Sequence, residues 1–537
     1  MKNYLKNIAL AFIGKEKIVT RNKVVLGYDA ARNNRWTADF LTEIGTINRE
    51  IKGDMIAVRK RARALWKNSS VIRAYRKRLI SDVVGRDGFK LQMRCKLDNG
   101  DVDKDANDQI ETAWDDWSNK ETCAMSKTLN LVQVCYLLIE HYKRDGEFIA
   151  RFIEEPGVNK YGFSLELIEP DLLDETYNVE LSNGNSIAMG IEFNSWRQPV
   201  AYHFKKSTIA DEMRGVFGYY QNGERIRIPA EQILHLFDQE HSNQFRGISH
   251  LAPVMIDIIQ LKGYDEAAII AARVGASSTM VITKQKDTET QGDDEDSEGN
   301  TIQNLSFGEV VYTQPGEIPF NWTPNYPHDQ YPEFVKTHLK RIAVALGMNY
   351  ASLLGDLAEG NYGSLRGGSL IERDQWFVDQ SFIINSFLRI VYLRWIKATL
   401  FNSLYQGEPA VDLPYDPEKY NHPEFFGRTY PWIDPYKDVQ ATVLALNNNL
   451  TSLTRECKRM GVEFDDIVDE RKAEQEKIKD AGLIISDKTT AKVSDKKPVD
   501  DEEERDDDEK NSILNDLIGV AKKHGNGHFK KLIEQNL

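Results

Sequence analysis

The chain has 537 residues, 41% of them hydrophobic and 10% aromatic, with a formal net charge of −14. That length holds roughly three or four structural units with an ample core, and the composition marks a globular protein. The acid excess is local: residues 287–298 carry seven acids and no base, and residues 495–510 carry ten acids against four bases, so the folded body is nearly neutral.

In chain order, the first feature is a short apolar stretch, Tyr4–Gly14, followed by Lys15-Glu16-Lys17. It lacks a small-residue cleavage site and reads as an amphipathic arm or a first helix rather than a signal peptide. Residues 54–80 form a basic helical region, with Arg59, Lys60, Arg61, Arg63, Lys67, Arg73, Arg76, Lys77 and Arg78 around an apolar stripe of Val58, Leu65, Ile72, Tyr75 and Leu79. Asn68-Ser69-Ser70 splits it into two helices, with Ser69 or Ser70 as a cap. The cations there form either a phosphate-contacting face or a solvated face paired with acids elsewhere.

Residues 145–238 change to short β-like runs bounded by Gly, Pro and Asn, among them "GEFIARFIEE", "GFSLELIEP", "PVAYHFKK" and "RIRIP", and "NSWRQ" predicts a hairpin turn. Strands and helices are segregated, which predicts an α+β body. From Arg246 to Ser278 the pattern is helical, with Gly263 and Gly275 as weak points. Residues Thr279–Pro327 are irregular and strand-like and contain the first acidic run, so a small unit is inserted between two helices. The second helix is marked by Val335, Leu339, Ile342 and Leu346 at spacings of four, three and four.

A Gly-rich loop follows, Gly355–Ser369, with Gly355, Gly360, Gly363, Gly367 and Gly368. It reads as a mobile element between two rods. The next rod, Leu370–Leu404, has no Pro or Gly and is apolar enough to be mostly buried. A further helical unit begins at Trp432. After Ser486 the composition reads as disordered, apart from an amphipathic patch at Ile513, Leu514, Leu517, Ile518 and Val520 suited to docking on a partner.

Catalytic patterns are missing. Gly368 precedes Ser369-Leu370 instead of the Lys-Ser or Lys-Thr of a P-loop, and the Gly-rich loop follows a helix where a dinucleotide fold needs a strand. His235 and His241 are poorly spaced for a metal and have no third cluster to support them. A calcium loop counted from Asp294 puts Leu305 where a bidentate Glu is required. No Gly-x-Ser-x-Gly elbow or zincin motif occurs. The four cysteines, Cys95, Cys123, Cys135 and Cys457, form no Cys-x-x-Cys pair and read as reduced thiols of a cytosolic protein. No apolar run reaches the length of a membrane span. No cofactor and no metal are expected, and an enzyme acting on nucleic acid, such as a nuclease or packaging ATPase, lacks its motif.

The segments in order resemble the lambda-type portal proteins of tailed bacteriophages. The resemblance is carried by "YDAARNNR" (Tyr28–Arg35) with "RARALWKNSSVIRAYRKRLISDVVGRDGFKLQ", by "IPAEQILHLFDQEHSNQFRGISHLAPV" (Ile228–Val254), by Leu339–Gln375 and by Trp432–Leu483, together covering roughly residues 20–485. It implies a portal-type fold: an N-terminal arm and mixed wing at 1–245, a stem helix at 246–278, and a small α/β clip carrying the acidic insertion at 279–329. A second stem helix at 330–347, a tunnel loop at 348–369, a long wing helix with its connection at 370–431, and a helical crown at 432–485 follow. An acidic disordered tail with a short terminal helix closes the chain at 486–537.

The resemblance further implies a ring homo-oligomer, usually a dodecamer, at one capsid vertex, through which double-stranded DNA is packaged and later ejected. Its implied partners are the terminase large subunit, head–tail adaptor proteins, and the major capsid and scaffold proteins, with no membrane. The protein would pass from the host cytoplasm during assembly into the virion. Another head–tail connector or minor capsid protein is the alternative. A portal needs weak, sequence-independent phosphate contacts, because tight base-specific ones would stall translocation. The candidates are Lys336, Lys340 and Arg341 on the second stem helix, with Asn361, Tyr362 and Arg366 in the loop. Arg246–Ser278 and Leu370–Leu404 are expected to supply much of the subunit interface. Two departures stand out: Gly363-Ser364 follows Tyr362 where the family usually has Ser-Ser, and the acidic run at 287–298 is longer than family habit.

Overall fold

The computed structural model describes residues 45–206, 224–277, 281–284, 294–295, 301–302, 317–320, 330–356, 362–405, 409–430, 435–460, 462 and 464–481. The N-terminal arm, the acidic tail, the terminal amphipathic patch, Asn361 and most of the 279–329 insertion lie outside these. The chain divides into one compact unit up to Gly461 and a second from Val462. Within the second, helix Phe464–Asp480 is described. The helical segment expected at 432–485 is therefore divided between the two units.

Among the described residues, two helices come first, α1 (Ile47–Asn68) and α2 (Ser70–Arg78). The hydroxyl of Ser69 accepts from the Ile72 amide at 3.4 Å, so Ser69 is the cap that separates them. The buried stripe of α1 is Ile51, Met55, Arg59, Ala62 and Trp66. It is rotated from the expected one: Val58 and Leu65 are only half-buried, and a charged residue takes a place inside. The reason is a buried acid partner for Arg59, described below.

The helices α3 (Lys104–Trp117) and α4 (Leu131–Asp145) follow a short strand, β1 (Lys90–Met93). Asn130 and Gln133 form a reciprocal capping box at the start of α4, and Gly146, at φ 86°, ends it. The predicted strand region forms two antiparallel sheets. One has the order β3-β2-β9, from β2 (Glu147–Glu154), β3 (Phe163–Ile168) and β9 (Ile233–Phe237). The other is a meander of β4 (Val179–Glu180), β5 (Ser186–Ala188), β6 (Ile191–Phe193), β7 (Pro199–Lys205) and β8 (Arg225–Pro229). The "NSWRQ" turn joins β6 to β7 as expected, with the Asn194 side chain accepting from the Trp196 and Gln198 amides and Arg197 at φ 60°. Strand β1 pairs with β14 (Pro423–Phe426), some three hundred residues later, which no local pattern announced.

Helix α5 (Met255–Ser277) leads into the insertion, where the described residues are all strand: β10 (Val281–Lys284) pairs antiparallel with β13 (Glu317–Phe320), and β11 (Asp294–Glu295) with β12 (Thr301–Ile302). Helix α6 (Tyr331–Ala345) returns the chain. The Gly-rich segment differs from expectation. A short helix, α7 (Tyr350–Leu354), precedes it, and α8 (Tyr362–Ile383) already includes Gly363, Gly367 and Gly368. Among the described residues around this segment, Gly347 and Gly355, at φ 71° and 73°, use the left-handed conformation, each just beyond a helix end. Helix propensity penalises Gly by about 1 kcal/mol, which packing can override. A π-turn, Ile384–Leu388, carries α8 into α9 (Arg389–Ser403), and Ile383, Phe387, Leu388, Val391, Tyr392, Trp395, Ile396 and Leu400 of this rod are buried. They meet α3 in an aromatic cluster, with the Trp114 and Trp395 rings 5.1 Å apart and edge to face. Helices α10 (Pro435–Asn447) and α11 (Leu453–Arg459) complete the first unit.

Candidate nucleic-acid interface

Helices α5 and α6 pack antiparallel, as their cross-contacts show. Near one end the Arg341 guanidinium donates to both carboxylate oxygens of Asp257 at 3.2 and 3.3 Å. Near the other, the Tyr331 hydroxyl donates to Asp265 at 2.8 Å, and the Tyr264 ring lies 5.6 Å from that of Tyr331 and 4.9 Å from that of Phe334. Ile342, Ala343 and Leu346 anchor the far end of α6 in the main core. The pair is thus fixed at its base and tied along α6 as far as Asp265 of α5.

The sequence candidates divide by what holds them. Lys340 is exposed, with its ammonium 5.8 Å from the Tyr350 ring centroid. Lys336 is half-buried on the same helix. Arg341 is exposed but already neutralised by Asp257. Arg366, in the second turn of α8, is bound to Asp438 of α10 at 3.2 Å, so it ties two helices together instead of standing open on a loop. The backbone of Tyr362 opens α8. Three candidates therefore share α6, while Arg366 is committed elsewhere.

The segment before α8 is pinned rather than loose. The Asn349 side chain caps α7 by accepting from the Ala351 amide at 3.0 Å. Ser352 donates to the Glu372 carboxylate of α8 at 2.6 Å, and Arg78 of α2 donates to the Ser352 carbonyl at 3.1 Å. Burial pushes the Glu372 carboxyl above its ordinary value. A Cβ on Gly368 would collide with the Asn349 side-chain nitrogen, so a larger residue there would displace the side chain that caps α7. Gly367, one residue earlier, faces open space.

Of the basic α1–α2 region, several cations are turned inward. Glu147 is fully buried and accepts from Arg59 at 2.7 Å, from Arg246 at 2.8 and 2.5 Å, and sits 3.0 Å from the His235 ring nitrogen. Burial opposes its charge, but the Arg246 guanidinium, with His235 and Arg59, outweighs burial and holds the carboxyl far below the usual range. Arg59 also meets Asp171 at 3.0 Å, and Arg63 bonds Asp145 at 2.8 Å, Glu169 at 3.1 Å and Asp171. Arg76 bonds Glu140 at 2.7 Å. These residues hold α1 to the first sheet and to α4, α2 to α4, and, through Arg246, the segment entering α5 to the same buried acid. His141, Asp145 and Glu169 lie close enough together to ligate a metal, but Arg63 and Arg144 already occupy both carboxylates. His235, weighed as a metal ligand from sequence, is instead part of the Glu147 cluster. What sequence offered no means of finding was Glu147 itself, an unremarkable acid at the start of a strand.

The comparisons with known proteins follow the same lines. The family model described as phage portal protein, lambda family, matches residues 33–380. The probable portal protein of Halomonas phage phiHAP-1 is 28% identical over 473 residues, spanning 87% of this chain and 89% of the relative. Portal protein B of Escherichia phage lambda is 17% identical over 406 residues, spanning 70% of this chain and 74% of the relative. Among solved structures, a chain from the neck of an empty gene transfer agent particle computed with C6 symmetry matches with a TM-score of 0.39 at 14% identity, covering 76% of this chain and 93% of that one. Among the described residues no helix is long and apolar enough to cross a membrane. With more than half of the sequence matched, the chain belongs to the lambda family of phage portal proteins.

Proposed function

We propose that the protein assembles into a closed ring, a dodecamer, at one vertex of the virion, and that double-stranded DNA passes through its centre during packaging and ejection. Family membership carries this reading. The surface of the isolated chain supports it. Helix α5 leaves Ile256, Ile259, Ile269 and Ile270 between 51% and 67% exposed, and α8 leaves Leu370, Ile371, Phe377 and Val378 between 46% and 75% exposed. Such bare apolar stripes on a soluble chain are suited to neighbouring subunits. In this reading α5 and α6 form the stem, residues 279–329 the clip that meets the terminase large subunit and then the adaptor proteins, and the surrounding body the wing that meets capsid and scaffold proteins. The crown would face the capsid interior.

Lys340 is the foremost DNA contact, with Lys336, Asn361 and Tyr362 as further candidates. Arg341 and Arg366 act by fixing α5 and α10, since each is neutralised by an acid within the chain. Weak contacts of this kind, repeated round a ring, would hold a moving duplex without trapping it. Placing charge on the bare stem face tests the assembly: Ile259→Asp with Ile270→Asp should leave a folded protein that no longer forms rings. Rings formed as readily by this variant as by the wild type would remove α5 from the interface.

A further inference from the structure

One exposed ridge is unlike the uncharged stripes of α5 and α8. Along α9, Arg389, Leu393, Lys397 and Phe401 are all exposed at intervals of four residues, and Tyr405 extends the row into the turn that follows. Residues at i and i+4 form a continuous ridge on a helix surface, here about 24 Å long at the rise of an α-helix. The Phe401 ring lies 5.1 Å from that of Tyr405, tilted, and 6.4 Å from that of Tyr415, edge to face, and all three rings are at least 44% exposed. The ridge therefore alternates cation and large apolar group, ending in an aromatic cluster.

Hollows flank the ridge. One, of about 570 Å³, lies beside Arg389 and Leu393 and is walled by Arg94, His422 and Glu424. The other, of about 310 Å³, lies beside Lys397 and Phe401 and is walled by Arg394 and Tyr415. The acids nearby are already engaged: Glu424 accepts from both Arg94 at 2.7 Å and Lys458 at 3.0 Å, and Glu154 pairs with Arg394 at 3.4 Å. Among the described residues Arg389 and Lys397 have no acid partner. The first hollow thus has more cations than anions, and both hollows open onto a helix that offers apolar anchors. The π-turn just before Arg389 sets the start of the ridge, and such turns often occur at functional sites.

We infer that this ridge and its two hollows are a docking furrow for an acidic, amphipathic segment of another polypeptide, which sets carboxylates on Arg389 and Lys397 and apolar side chains beside Leu393 and Phe401. Charge complementarity selects an acidic occupant. The exposed rings select a protein over duplex DNA, whose outer surface is charged phosphate with no apolar groups to cover phenyl rings. The paired hollows suit a narrow inserted segment, as in helix-in-groove recognition. The surface is separate from the stem face proposed for subunit contacts, though its use rests on the protein acting within an assembling particle.

The test places a photo-crosslinking residue in the furrow of the full-length chain, Leu393→p-benzoylphenylalanine, in cells producing the particle, with Asn99→p-benzoylphenylalanine as an exposed control. Crosslinked peptides are sequenced. The expected adduct is a peptide of net negative charge bearing large apolar residues, from a different protein. Its yield should fall about tenfold with Arg389→Glu and Lys397→Glu together, and should persist with Arg389→Lys and Lys397→Arg. Adducts with DNA alone, adducts with a second copy of this chain, or a yield no higher than at Asn99 would overturn the inference. Native mass of the same preparations reports ring assembly independently, so loss of the ring and loss of the furrow are read separately.

Discussion

Replacing Glu147 by Gln should be among the most damaging single changes to this fold that leave its shape alone. The carboxylate is completely buried and accepts hydrogen bonds from two guanidiniums, Arg246 at 0% exposure and Arg59 at 2%. Gln keeps the volume but turns an amide N–H₂ toward those donors and leaves their charges under-compensated. Removing one partner from a buried ion pair costs about 3–5 kcal/mol, chiefly from the stranded charge. For a unit of this size that lowers the melting temperature by roughly 3–5 °C. The control is Glu154→Gln, which breaks the exposed Arg394 pair and should cost no more than ~1 kcal/mol. Combining Glu147→Gln with Arg246→Met should cost less than the sum of the two singles, with a coupling of about 1–3 kcal/mol. Thermal unfolding followed by circular dichroism reads all four proteins. A Glu147→Gln melting temperature within the error of the Glu154→Gln control would refute the argument.

This cluster and a separate one around Glu192, built from Arg227, Asn185 and His203, set an acid limb. Glu147 and Glu192, ordinarily near 4.5, are both depressed in the folded protein. For Glu192 the Arg227 guanidinium, against burial and with Asn185 and His203, brings it to about 2. A depressed carboxyl contributes stability that is complete above its unfolded value and is lost as pH falls toward its folded one. Stability should therefore decline from about pH 5 downward, and less steeply in Glu147→Gln. Gly368→Ala should cost about 0.5–2 kcal/mol by displacing the Asn349 cap, whereas Gly367→Ala, facing open space, should be neutral or slightly stabilising in the same melting assay. Equal effects at the two positions would show that α7 does not depend on that approach. Lys336→Ala with Lys340→Ala should leave ring assembly intact while altering DNA packaging or retention, and normal packaging and retention would remove both from the channel. Deleting residues 486–511 should leave rings unchanged in electron micrographs, and their loss would show the tail to be structural.

Local pattern carried much of the architecture and stopped where partners are remote. The period of Val335, Leu339, Ile342 and Leu346 and the unbroken rod after Leu370 were readable because each lies within one element. Ser69 and the "NSWRQ" turn were readable because capping and turn chemistry act over a few residues. The position of Arg59 was not, because what buries it is Glu147, brought close only when the first sheet packs on α1. The β1–β14 pair failed for the same reason. The Gly-rich segment misled in another way. Composition favours a loop there, yet Gly368 is helical and serves close packing against Asn349. Charge alone could not rank the channel candidates either: Arg341 and Arg366 look like Lys340 in sequence, and only the fold brings Asp257 and Asp438 against them.

The central claim is that bare apolar faces on α5 and α8 close copies of this chain into a ring around DNA. Native mass measurement of the purified full-length protein, with negative-stain images of the same sample, tests it directly. The account predicts one dominant closed oligomer of identical subunits, a dodecamer, with a central channel wide enough for a duplex. A monomer at every protein and salt concentration, with and without the particle's scaffold protein, would contradict it.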